Sequence, residues 1–135
     1  MARLSVLALS ARLPSWAEQA CAEYAKRMPK GYELVRIPVK NEGALRSALP
    51  RHARIVALDE RGRDYTTRQF AELLKSETAF VIGGPDGLSA ELKAEAALLL
   101  RVSCFTLAHA LAQVVLLEQL YRAASLLTGH PYHRE

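Results

Sequence analysis

Val81-Ile82-Gly83-Gly84-Pro85-Asp86-Gly87-Leu88-Ser89 joins a short apolar run to a glycine-rich turn and then to a serine suited to start a helix. A buried strand, a turn whose backbone a ligand can approach closely, and a helix follow from that order. Working outward, runs rich in Val, Ile and Leu recur at Leu4–Leu9, Glu33–Ile37, Arg54–Leu58, Ala79–Ile82 and Val102–Leu107. Helical stretches separate them. The alternation predicts an α/β domain with a mainly parallel sheet of five to six strands, covered by helices on both faces. Ser15 with Glu18 and Thr66 with Gln69 have capping-box spacing, a third helix is expected from about Ser89, and a fourth from about Ala110 to Leu127. The segment Pro38–Pro50 is expected to be the loosest.

The chain has 135 residues and 50% hydrophobic content, enough for one domain, 1–135, and too little for two. Its formal net charge of +4 suits a polyanionic partner without requiring one. The amino-terminal apolar run breaks at Arg12 and Pro14, so it is read as a strand and not as a signal peptide, and the protein is expected in the cytosol. Gln113, Glu118, Gln119 and Arg122 interrupt the longest apolar stretch, which argues against a membrane span. Cys21 and Cys104 match no metal or redox spacing, so reduced, mostly packed thiols are expected, with no disulfide and no metal. The apolar residues of the fourth helix cover more than one stripe, a surplus that a subunit interface would bury.

Three segments carry candidate chemistry. The glycine turn lacks both the GxGxxG spacing of a dinucleotide fold and the lysine of a P-loop; its alternatives are a cofactor-binding turn and a plain strand-to-helix connection. Ser103-Cys104-Phe105-Thr106-Leu107-Ala108-His109 leads into the long apolar helix, with His109 as base, RNA contact or capping group. The carboxyl terminus, Gly129-His130-Pro131-Tyr132-His133-Arg134-Glu135, concentrates groups that stack on and hydrogen-bond to an unstacked base, although chain ends are commonly frayed.

Taken together, GGPDGLS, SCFTLAHALAQ and LLEQLYRAASLLTGHPYHRE closely resemble the large-subunit ribosomal RNA methyltransferase H family of the SPOUT superfamily. The likeness extends upstream through Pro14-Ser15-Trp16, Glu23-Tyr24, Arg27-Met28-Pro29 and Val56 to Gly62, and so covers nearly the whole chain. It implies a SPOUT-type α/β knot with a carboxyl-terminal trefoil, a homodimer, and transfer of a methyl group from S-adenosylmethionine to N3 of a pseudouridine in ribosomal RNA. Such knots are rare exceptions to unthreaded chains. By resemblance, Leu58, Gly84, Ser103, Cys104, Phe105, Thr106, Leu107 and Ala108 surround the cofactor, while His109, Arg122, Tyr132 and His133 lie near the target base.

Two positions depart from the family's pattern. Ala108 stands where a proline is usual, and Gln113 where an arginine is usual; if that arginine contacts RNA, its loss weakens RNA binding. The region 38–50 is also shorter than usual. An active methyltransferase of ribosomal RNA, a SPOUT enzyme with another RNA target, and a non-catalytic dimeric RNA-binding or assembly protein are the readings to separate. For Arg122, an i, i+4 ion pair with Glu118 is the structural alternative.

Overall fold

The computed structural model describes residues 2–9 and 12–134, except for the side chains of His133 and Arg134. The chain alternates β1 (Ala2–Leu9), α1 (Ser15–Arg27), β2 (Tyr32–Val39), α2 (Glu42–Ala48), β3 (Arg54–Asp64), α3 (Thr67–Leu73), β4 (Thr78–Ile82), α4 (Ala90–Glu95), β5 (Leu98–Arg101) and α5 (His109–Thr128), and closes on a 3-10 turn at Pro131–Arg134. The five strands form one sheet in the order β2-β1-β4-β3-β5, every pairing parallel.

Alternation along each strand divides the core into two layers. Leu4, Val6 and Ala8 of β1, with Val56 and Phe80, pack beneath α1, α3 and α5. Leu7, Ala57, Ala79 and Val81 face the other way, onto Leu45 of α2 and Leu88 and Leu92 at α4. Strands buried on both sides need apolar residues at consecutive positions, which is why they read as unbroken apolar runs. The long α5 crosses one face and packs on α1 and α3. Leu116, Leu117, Leu120, Ala123 and Ala124 are buried there, so much of its apolar surplus is absorbed within the chain. Leu111 stays 40% exposed.

Four sequence expectations are corrected. The last strand is Leu98–Arg101 and not Val102–Leu107. Leu98, Leu99 and Leu100 align beside Val56, Ala57 and Leu58 of β3 and fill both layers, which leaves 102–108 as a loop at the strand's carboxyl end. Pro38–Pro50 is largely ordered: β2 runs to Val39, and Asn41 caps α2 by accepting from the Ala44 N–H at 2.8 Å. Ser15 forms no capping box; it is the first residue of α1, and Glu18 turns instead to Arg36. Cys21 is buried, but Cys104 is exposed. The Thr66–Gln69 box forms with both of its reciprocal bonds, and Ser89 caps α4 through the Leu92 N–H.

Candidate active site

The carboxyl ends of β3, β4 and β5 open into a cavity of about 460 Å³. In a parallel sheet this is where ligands bind, because the loops leaving the strands there present free backbone groups. Three segments wall the cavity: 58–60 after the first part of β3, the turn 82–88 after β4, and the loop after β5 up to His109.

The glycine turn is built by close backbone contact. A Cβ on Gly83 would lie 2.5 Å from the carbonyl carbon of Gly87, and one on Gly84 would lie 2.9 Å from the Leu9 carbonyl oxygen at the end of β1. Gly87 has φ +75°, a left-handed conformation that side chains other than glycine disfavour. Gly84 and Gly87 form an isolated bridge that closes the turn. Gly83 and Gly84 are thus required by packing within the chain, and Gly87 by its backbone conformation.

Of the residues predicted to surround a cofactor, Leu58, Gly84, Ser103, Phe105, Thr106 and Leu107 line this cavity, while Cys104 and Ala108 do not. Phe105 is 79% exposed at the rim, and its backbone N–H donates to Ser103 Oγ at 2.9 Å. The sequence reading missed Asp59 and Lys93, which form a 2.9 Å ion pair in the wall. Hydrogen bonds from the Arg61 N–H and from Lys93 hold the Asp59 carboxyl below its usual range. Asp59 follows Leu58 directly in the Ala57-Leu58-Asp59 run and was available to the eye; Lys93 looked like any solvated helix cation.

His109, the first residue of α5, lines the cavity as well. Behind it, the Glu18 carboxylate pairs with Arg36 at 2.7 Å, Arg36 Nε donates to Gln113 Oε1 at 2.9 Å, and Gln113 Nε2 lies 2.9 Å from His109 Nε2. Burial, and after it the Arg36 guanidinium, lowers the His109 imidazole from its ordinary value. Gln113 is fully buried and so cannot be a direct surface contact for RNA. The guanidinium beside it is Arg36 of β2, largely buried and paired with Glu18.

The remaining predicted residues stand elsewhere. Arg122 lies thirteen positions beyond His109, about 20 Å along α5 at helical rise. It pairs with Glu118 at 2.8 Å, as the structural alternative required, and its guanidinium sits 4.8 Å from the centre of the Tyr132 ring. Tyr132 donates to Glu118 Oε2 at 2.9 Å and packs on Tyr121, ring centres 4.4 Å apart. Burial, followed by the Glu118 contact, raises the phenol well above its usual value, so it stays protonated. The carboxyl-terminal turn is therefore docked, not frayed. The His133 side chain lies outside the described residues. A single chain forms two separate groups, a cavity with His109 and a cluster of Glu118, Arg122 and Tyr132.

Among the described residues no helix is long and apolar enough to cross a membrane, and no cluster of His, Cys, Asp and Glu is arranged to hold a metal ion. A family model described as a predicted SPOUT methyltransferase matches residues 2–133. The protein named ribosomal RNA large subunit methyltransferase H of Laribacter hongkongensis is 43% identical over 155 aligned residues, covering 98% of this chain and 99% of its own. Its namesake in Burkholderia multivorans is 47% identical over 156, with the same coverage. Among solved structures, the SpoU methyltransferase AviRb of Streptomyces viridochromogenes, in complex with the cofactor AdoMet, superposes with a TM-score of 0.55 at 16% identity, over 95% of this chain and 58% of that one. At that identity the likeness concerns the fold. The parallel sheet, the cavity at its carboxyl edge and the full-length relatives agree, and this chain belongs to the SPOUT methyltransferase family.

Proposed function

We propose that this chain, as a homodimer, transfers the methyl group of S-adenosylmethionine to N3 of a pseudouridine in large-subunit ribosomal RNA. Two relatives named as large-subunit ribosomal RNA methyltransferases, alike over their whole length, support the reaction class. The observation that carries the reading in this molecule is that two separate loops, the glycine turn and the loop after β5, wall one cavity at the sheet's carboxyl edge.

The cavity's residues fit the cofactor. Leu58, Ile82, Leu88 and Leu107 offer apolar contact for an adenine ring, Asp59, Glu60 and Asp86 offer carboxylates for hydroxyl or ammonium groups, and the glycine turn offers backbone. Bound there, S-adenosylmethionine supplies an electrophilic methyl on a sulfonium. The protein's share is then to hold the acceptor nitrogen in line and exclude water. The acceptor imide loses a proton, so a base or a positive group beside it raises the reactive fraction. His133 and Arg122 have the chemistry for those roles. Because Arg122 and Tyr132 are remote from the cavity of their own chain, they act there only as part of a second copy, which is the physical reason for the dimer in this reading. The protonated Tyr132 phenol then serves as a donor or stacking surface, not as a base.

Radiolabelled methyl transfer to ribosomes that lack the modification, with the product nucleotide identified by mass spectrometry, tests the proposal. Label on a large-subunit pseudouridine is expected. Label on another nucleotide would mean a different target, and absence of both label and cofactor binding would favour a non-catalytic protein.

A further inference from the structure

We infer that Gln113 is a positioning residue that holds His109 as the Nδ1–H tautomer, so that His109 meets a bound ligand as a hydrogen-bond donor. The chemistry of the donors and acceptors fixes each orientation. A guanidinium can only donate, so the oxygen of the Gln113 amide must be the atom facing Arg36 Nε at 2.9 Å. The amide nitrogen is then the atom at 2.9 Å from His109 Nε2. That nitrogen also only donates, which leaves Nε2 as the acceptor and puts the ring's single proton on Nδ1.

The arrangement resists reversal. Gln113 is fully buried, and the Arg36 side chain is only 12% exposed and anchored to Glu18 of α1 at 2.7 Å. Turning the amide over would set its NH2 against the guanidinium and its oxygen against the imidazole, leaving buried donors face to face. Three elements, α1, β2 and α5, thus converge on one ring nitrogen. Free histidine prefers the opposite tautomer, with the proton on Nε2, so the network imposes a state that the side chain would not choose alone.

With Nε2 occupied, any hydrogen bond from His109 to a molecule in the cavity is one that Nδ1–H donates, to a carbonyl or anionic oxygen. Resting on the methyl-transfer reading, this makes His109 a stabiliser of the oxygen beside the reacting imide nitrogen, and leaves proton removal to another group.

The test is a two-bond proton–nitrogen correlation spectrum of the full chain labelled with 15N-histidine, with His109 assigned from His109→Gln. Above the imidazole's pKa, Nδ1 is expected at a pyrrole-type shift and Nε2 at a pyridine-type shift; the reverse pattern in the wild-type protein would overturn the inference. Gln113→Glu keeps an oxygen for Arg36 but offers His109 only an acceptor, so Nε2 should become protonated; an unchanged Nε2 shift would also overturn it. In that variant kcat should fall about tenfold or more while cofactor affinity holds. A switched tautomer with full turnover would remove the donor role and leave the methyl-transfer reading standing. A wild-type protein that transfers no methyl but gives the expected spectrum would do the opposite.

Discussion

The Glu42 carboxylate accepts from both the backbone N–H of Ser89, at 2.7 Å, and its Oγ, at 2.6 Å, and so ties the start of α2 to the residue that caps α4 just after the glycine turn. The Ser89 hydroxyl first, and its backbone N–H second, hold the carboxyl below the ordinary value of 4.5. For a lowered acid the sign is fixed: the contribution is complete above 4.5 and disappears as pH falls through the folded-state value. Glu42→Gln is expected to cost about 1 kcal/mol at neutral pH. Thermal melts of wild type and variant should converge as the carboxylate range is crossed; a gap that persisted in acid would disconnect the loss from ionisation.

Gly83→Ala and Gly84→Ala should each lower the melting temperature as well as cofactor affinity. The new methyl meets backbone, Gly87 in the first case and the Leu9 carbonyl in the second, and backbone yields only if strands move. A loss of about 2 kcal/mol or more is expected from such overpacking. Paired melts and cofactor titrations separate the effects: weak binding at unchanged stability would make these glycines purely a matter of access.

Gln113→Arg is expected to destabilise the protein, not to improve RNA binding. A second guanidinium would enter a fully buried position already facing Arg36, and an unpaired buried charge costs about 3 kcal/mol or more. Converting Arg36→Gln at the same time removes the repulsion and leaves Glu18 as a partner for the new cation. Urea denaturation of the two single variants and the double should therefore show strong non-additivity. Simple addition of the two losses would count against the contact.

Glu118→Ala removes the acceptor shared by Arg122 and Tyr132. The carboxyl-terminal turn should loosen and near-ultraviolet dichroism from Tyr121 and Tyr132 should weaken. Cofactor affinity should stay within about twofold, while methyl transfer falls about tenfold or more. Equal loss of both would place the cluster's effect in the fold as a whole, and full transfer would remove it from the reaction.

Local order was legible where a side chain serves its own neighbourhood. Thr66 with Gln69, Ser89 ahead of α4, and the limits of α5 were read from spacing to within a residue or so. The misplaced last strand shows the limit of that method. Leu98–Arg101 follows a six-residue helix directly, and a run of leucines there is equally consistent with helix; only pairing with Val56–Leu58 makes it a strand. The same shift turned Val102–Leu107 from strand into the loop that walls the cavity. In the region 38–50, Asn41 was visible but was counted as a loop residue, although the same side chain is a strong helix cap.

What the sequence determined by itself is the α/β class, the parallel sheet and two of the three segments that wall the cavity, because periodicity and turn chemistry are local and repeat along the chain. The tertiary structure decided how distant residues share their hydrogen bonds. Glu18, Arg36, Gln113 and His109 come from three elements, and nothing in their spacing foretells that they form one line. It likewise decided that Gln113 is buried and that Arg122 lies far from the cavity of its own chain. Burial and long-range hydrogen bonding arise from the packing of α1 and α5 on the sheet, and packing is a property of the assembled layers that no single segment carries.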